Sequence, residues 1–276
     1  MGGRAIELIL MRQLASYLAV PILIVDGQLN LFYFNESAES ILGRRFDETG
    51  GIRRGEWTRL LRPADADGQP IPREQQPLAR AIDHNEPSHR RLWLTGLDGQ
   101  ARVIEGLAFP LESRDAGLVG AAGIYWQVHE GPQRARPANP ATRGSARSRH
   151  DVEVVLLRRL ADRLSMPTFV SDADGQLLFY NAPAEPLIGR AFDQLGRISL
   201  GEWYDVFRPT HEDGSALKRD EHPIQVALER QQPAHRRFVY QGLDGARRRI
   251  QGSAFPLLGQ CHRHLGAAGF FWEDPE

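Results

Sequence analysis

The amino-acid sequence predicts an α+β protein built from two copies of one unit, each an antiparallel sheet with its helices packed on one face. Two observations carry this expectation. Sliding the chain against itself by 146 positions pairs Leu14 to Trp126 with Leu160 to Trp272 without a gap, and 45 of the 113 pairs are identical. Two copies are too few for a solenoid, which gains its core by stacking many repeats, so each unit is expected to fold alone. Within each copy, strand-like runs lie at both ends and helical runs between them, the order from which one sheet with segregated helices follows.

In the first copy, Leu8 to Ala19 has helical spacing and Pro21 ends it. Ile22 to Val25, the turn Asp26-Gly27 and Leu31 to Phe34 read as a hairpin, after which Asn35 can cap a helix Glu36 to Leu42 that Gly43 terminates. Helical pieces at Trp57 to Leu61 and Arg73 to Asn85 flank the Pro63 to Pro72 turns. Three strands finish the unit, His89 to Thr95, Arg102 to Leu111 and Val119 to Val128. Residues 1–129 and 151–276 are thus expected to be domains. Between them, 130–150 holds five arginines, three prolines and four alanines, a composition that cannot repay its ordering entropy and reads as a flexible linker.

Composition bounds the function. Thirty-four basic against 35 acidic side chains leave a net charge of −1, so no global field draws the chain to nucleic acid or anionic membrane. The apolar stretch from Ala5 to Val25 is interrupted by Glu7, Arg12, Gln13 and Pro21 and fails as a span or signal peptide. The lone Cys261 rules out an internal disulfide, and a cytoplasmic location is expected.

The motifs resemble those of PAS domains. Leu31-Phe-Tyr-Phe-Asn35-Glu-Ser-Ala38-Glu39-Ser-Ile-Leu-Gly43 is similar to their apolar strand ending in Asn, followed by a short helix ending at Gly. The second copy repeats it from Leu177 through Asn181 to Gly189. Arg62-Pro63 before Asp67-Gly68, the Pro77 to Ile82 helix and the last strand Gly120-Ala-Ala-Gly-Ile-Tyr-Trp126 are also similar to bacterial sensory PAS domains. The resemblance implies two profilin-like domains, each a five-stranded antiparallel sheet with a cleft under its helices that holds a small ligand or is simply packed. It also implies a sensory protein that dimerises and passes its signal on. No kinase, phosphatase, cyclase or DNA-binding segment is recognised in the chain, so a signalling partner is expected to carry the output.

Small residues in strands mark the candidate cleft, because glycine in a strand costs stability and often marks close approach by a ligand or backbone. The expected lining in the first copy is Ile24, Phe34, Leu94, Ile104, Ala108, Ala122 and Ile124 from the strands, roofed by Trp57, Leu61 and Ile82. In the second it is Val170, Tyr180, Tyr240, Ile250, Ala254, Ala268 and Phe270, roofed by Trp203, Phe207 and Leu228. A small apolar or aromatic ligand in these clefts and a ligand-free adaptor with filled cores both follow from this pattern.

Other chemistry finds less support. Asp65-Ala-Asp67-Gly68 and Asp172-Ala-Asp174-Gly175 fail calcium-loop spacing and read as turns. Cys261-His-Arg-His264 lacks the second ligand pair of a structural zinc site. Haem needs an axial histidine facing the cleft, yet His84 and His222 do not align, and the aligned His89 and His235 open a strand. In light-oxygen-voltage domains, which the resemblance brings in, a helical cysteine stands beside the flavin, and Cys261 lies between strands. No cofactor is required, and haem or flavin ranks third among the readings. No nucleophile elbow, Walker loop, zinc-protease helix or kinase signature is present, so no catalytic residue is assigned.

A homodimer is expected through the leading helices. Leu8, Met11, Leu14 and Leu18 match Val154, Leu157, Leu160 and Leu164 position for position and form an apolar row at 3, 3 and 4 spacing. Burying four such side chains contributes on the order of 6 to 12 kcal/mol before association entropy is subtracted.

Overall fold

The structure is a computed structural model that describes residues 6–113, 117–128, 152–196 and 198–274. The chain divides into two compact units, Met1–Arg134 and Ala135–Glu276. The segment read as a linker lies outside the described residues.

The first unit begins with α1 (Ile6–Tyr17) and continues through β1 (Ile22–Asp26), β2 (Leu31–Phe34), α2 (Glu36–Leu42), α3 (Phe46–Thr49) and α4 (Arg54–Leu61). A 3₁₀ turn Arg73–Gln75 leads into α5 (Pro77–Asp83), followed by β3 (Ser88–Thr95), β4 (Ala101–Ser113) and β5 (Gly117–Gln127). The sheet is antiparallel in the order β2-β1-β5-β4-β3. The hairpin turn is fastened by Asp26 Oδ1, which accepts from the N–H groups of Gln28 and Asn30, both at 2.9 Å. Asn35 caps α2, accepting from the Ala38 N–H, and Gly43 closes that helix at φ 75°, a left-handed conformation that favours glycine. Asp65 accepts from the N–H groups of Asp67 and Gln69, as a turn aspartate does. α3 was not foreseen, since four residues are too few to show a helical period.

The second unit repeats this order as α6 (Val152–Ala161), β6 (Thr168–Asp172), β7 (Leu177–Tyr180), α7 (Glu185–Ile188), α8 (Phe192–Leu195), α9 (Leu200–Phe207), α10 (Pro223–Glu229), β8 (Ala234–Gln241), β9 (Arg247–Leu258) and β10 (His264–Glu273). Its sheet runs β7-β6-β10-β9-β8. Pro183 and Pro186 break the helix after Asn181, so a 3₁₀ turn, Ala182–Ala184, and the short α7 replace one longer helix.

The helices do not all share one face. In the first unit Leu23 and Val25 join Ile104, Ala108, Ala121 and Tyr125 in one core with residues of α2, α4 and α5. Alternation turns Ile22, Ile24, Ala122 and Ile124 the other way, toward α1, which packs on β1, β4 and β5. A Cβ on Gly120 would meet the Leu8 Cδ2 at 2.9 Å, which shows how closely α1 lies on that face. Leu8, Met11, Leu14 and Leu18 are accordingly buried within the unit, and the expected dimer row is corrected: it is the helix's own packing face. The matching row, Val154, Leu157, Leu160 and Leu164, is buried as well, with Glu153 of α6 against Gly259 after β9. The apolar side chains left outside are Ile6, Ile9 and Tyr17 on α1 and Val152 and Val155 on α6.

Two substitutions separate the faces of α1. Leu14→Ala is expected to cost about 2 to 5 kcal/mol through lost burial and a cavity, whereas Ile9→Ala, 43% exposed, is expected to stay within about 0.5 kcal/mol. Thermal unfolding of the two variants checks this, and a smaller effect at Leu14 than at Ile9 would contradict it.

Candidate functional site

The cleft of each unit lies between the sheet and the helices after the second strand, and its size is set by aromatic rings on the sheet. In the first unit Tyr125 of β5 lies across Gly106 and Gly123. A Cβ on Gly106 would sit 2.5 Å from the Tyr125 Cε1, and one on Gly123 would sit 2.6 Å from its Cε2. The strand glycines therefore make room for the protein's own ring. In the second unit the same exchange recurs with other partners: Gly269 faces Phe169 at 2.5 Å and Gly252 faces Phe238 at 2.9 Å. The strand glycines that suggested space for a ligand are explained by these rings.

What remains open is small. The first cleft keeps a cavity of about 40 Å³ bordered by Trp57, Leu61, Leu94, Ile104 and Tyr125. The second keeps about 50 Å³ bordered by Trp203, Phe207, Phe238, Tyr240 and Phe271. Pockets for drug-sized ligands run from roughly 300 to 1,000 Å³. Haem and flavin are far larger than either cavity, and no step is assigned to them.

Of the residues expected to line the clefts, Trp57, Leu61, Leu94 and Ile104 border the first cavity, and Trp203, Phe207, Tyr240, Ile250 and Ala254 border the second. Phe34, Ala108 and Ile82 belong to the first unit's core without bordering its cavity, as Tyr180 and Leu228 do in the second. Ile24, Ala122, Ile124, Val170 and Ala268 are corrected, because alternation turns them to the opposite face of the sheet. Phe270 touches the second cavity's edge, but its ring stacks on Phe255, 5.9 Å between centroids. The residues missed are Leu23, Leu92 and Tyr125 in the first unit and Phe169, His222, Phe238 and Phe271 in the second. The available signal was the pair of glycines in the first unit, Gly106 and Gly123, on either side of the single aromatic position Tyr125.

The two clefts differ in polarity. In the first, the Trp57 Nε1–H donates to the Leu29 carbonyl at 2.9 Å, and Gln76 Nε2 donates to the Ile71 carbonyl at 3.0 Å. The Tyr125 hydroxyl is buried, and desolvation holds its pKa well above the usual range. In the second, His222 stands where the first unit has Gln76, capping α10 with its ring 5.1 Å from that of Phe238. Desolvation, helped by the nearby Arg236, lowers the His222 pKa to about 4, so the imidazole is neutral near pH 7. His89 and His235 lie on the other face beside Trp126 and Trp272, where His235 Nδ1 meets the Ser253 Oγ at 2.7 Å and His89 Nε2 approaches Glu105 at 3.6 Å. Neither points into a cleft. Among the described residues no group of three or more His, Cys, Asp or Glu is gathered to hold a metal.

Two outcomes test this geometry. Gly123→Ala is expected to destabilise the protein by about 1 to 3 kcal/mol through overpacking, and most of that cost should vanish in a Tyr125→Ala background. A double-mutant cycle by chemical denaturation reads the coupling, and additive effects would contradict the ring's placement. His222 sets the acid response of the second unit. Its folded pKa lies below its unfolded value of about 6.5, so stability is lost as pH falls through 6.5 and the loss is complete below about 4. Relative to His222→Gln, the wild type should lose about 2 kcal/mol between pH 7.5 and 4.5, measured by urea unfolding, and a difference that does not change with pH would refute it.

Comparison with known proteins places the first unit. Residues 19–125 match the family described as PAS domain. No curated protein matches the chain. Similar solved structures include a PAS domain from Colwellia psychrerythraea, 22% identical, covering 44% of this chain and 97% of its own, at TM-score 0.32. The light-oxygen-voltage domain of the Erythrobacter litoralis EL346 blue-light activated histidine kinase is 21% identical, covering 40% and 97%, at TM-score 0.32. The PAS domain of nitrogen regulation protein NR(II) from Vibrio parahaemolyticus is 13% identical, covering 42% and 95%, at TM-score 0.32. Among the described residues no helix is long and apolar enough to cross a membrane. The antiparallel order β2-β1-β5-β4-β3 and the Asn-capped helix of the first unit accompany a match to the PAS domain family that is confined to residues 19–125.

Proposed function

We propose that the protein is a sensory component with two PAS modules in tandem, in which the second module takes a small apolar or aromatic molecule and reports its presence to a partner. The observation that supports this most is the aromatic-walled cavity under α9, bordered by Trp203, Phe207, Phe238, Tyr240 and Phe271. Apolar rings on several sides with few polar groups suit a compact aromatic ligand, since each ring presents a large surface and a preferred stacking geometry. Trp203 and Phe207 stack at 4.3 Å on the helix that roofs the cavity. A ligand larger than the present space displaces these rings, and the shift of α9 is the signal.

A second reading, a ligand-free adaptor, is favoured by the outward row Ile6, Ile9 and Tyr17 on α1, matched by Val152 and Val155 on α6. A homodimer or a partner that carries the output would cover these side chains rather than the buried row.

Native and denaturing mass spectrometry of the purified full chain separates the readings. Release of a small aromatic molecule on denaturation is expected. No released molecule, together with no rise in Tm on addition of monocyclic aromatics, would reject the sensory reading in favour of the adaptor.

A further inference from the structure

Besides the Tyr204 hydroxyl, two polar side chains at the cavity of the second unit have no hydrogen-bond partner among the described residues. The first is the imidazole of His222, which borders the cavity and contacts Phe238. The second is the indole N–H of Trp203. In the first unit the corresponding indole donates to the Leu29 carbonyl, but here the equivalent residue is Gly175, whose carbonyl already accepts the Leu200 N–H at 2.8 Å. Of the other polar groups at the cavity, the Tyr240 hydroxyl donates to the Leu187 carbonyl, Gln225 to Glu229, and Arg219 to Asp205 and the Gly201 carbonyl. Both side chains are half-buried at the cavity and are free to bond a ligand that enters it.

We propose that this cavity selects a neutral monocyclic aromatic bearing one hydroxyl or N–H donor, and that His222 accepts the hydrogen bond from that donor while the ring packs among Phe207, Phe238 and Phe271. The inference rests on the sensory reading above and names the ligand class of the same site. Several features converge on it. The imidazole is uncharged near pH 7, so one ring nitrogen is an acceptor. Arg219, at the cavity, is held by Asp205 at 2.6 Å and lies over the Tyr204 ring. The present volume of about 50 Å³ is below what a benzene ring occupies, an engineered cavity of about 150 Å³ being large enough for one, so the ligand is compact and enters with movement of α9. The first unit cannot select in the same way, because Gln76, at the position of His222, is bound to Ile71 and Trp57 to Leu29.

Phenol and fluorobenzene, nearly equal in size, test the assignment by ligand-observed NMR with the full chain. A merely apolar cavity favours fluorobenzene, which is the less hydrated. The wild type is expected to bind phenol about tenfold more tightly, the value of one buried hydrogen bond. His222→Phe, which keeps an aromatic ring but no acceptor, should remove that preference, and His222→Gln, which restores an acceptor, should keep part of it. Circular dichroism checks that both variants are folded. If both probes bind the wild type with equal affinity, or His222→Phe leaves the preference intact, the role of His222 is overturned while the cavity remains a ligand site. If neither probe binds at millimolar concentration, the sensory reading and this inference fall together.

Discussion

One buried side chain ties the first unit together, and the positions of the faces follow from it. Asn35 Oδ1 accepts from the Ile22 N–H at 2.9 Å and the Ala38 N–H at 3.2 Å, while Nδ2 lies within hydrogen-bond distance of the Ala15, Leu18 and Val20 carbonyls. These groups belong to the end of α1, the chain leading into β1, and the start of α2. Leaving them unpaired in the interior costs about 1 to 3 kcal/mol for each buried group. Asn181 repeats the arrangement with the Thr168 N–H and the Ala161 and Met166 carbonyls. Because α1 is held at this junction, it covers one face of the sheet, and the other face is left to α2, α4 and α5. The cleft exists where it does for that reason.

The division of faces also explains what was legible in the sequence. The repeat, the asparagine before a short helix, the turn aspartates and the strand order follow from local chemistry, and they lie where the residues suggested. The parity of β1 and β5 does not follow locally. Shifting attention by one residue moves Ile24 and Ala122 from one face to the other, and both faces of a sheet covered on two sides are apolar. Alternation of hydrophobic and polar residues is absent there, so Ile24 and Leu23 look alike. The same ambiguity hid the purpose of Leu8, Met11, Leu14 and Leu18, since an apolar helical row does not state whether its partner is the domain's own sheet or another chain. The glycines at 106 and 123 resolve parity only once a ring is known to cross them.

The copies have kept the junction and the sheet while diverging in the cleft. Leu23, Leu61, Leu92 and Leu94 of the first unit correspond to Phe169, Phe207, Phe238 and Tyr240 of the second. The first cleft is mainly aliphatic around Trp57 and Tyr125, and its Trp57 and Gln76 side chains are bound to backbone carbonyls. The second is walled by rings and retains a neutral imidazole and an indole N–H without partners. The two cavities are nearly equal in volume, about 40 and 50 Å³, so the substitutions change the character of the walls rather than the space between them. The division of labour proposed for the two units follows from these substitutions.

A bromine atom would report most directly which cleft receives a ligand. Crystals of the full chain soaked in 4-bromophenol, with anomalous scattering recorded at the bromine edge, would locate the ring without assumptions about affinity. The account predicts one strong bromine peak within the second unit, bordered by Phe207, Phe238 and Phe271, with the phenol oxygen at hydrogen-bond distance from His222. A peak beside Tyr125 in the first unit, or bromine only at surface positions, would contradict it.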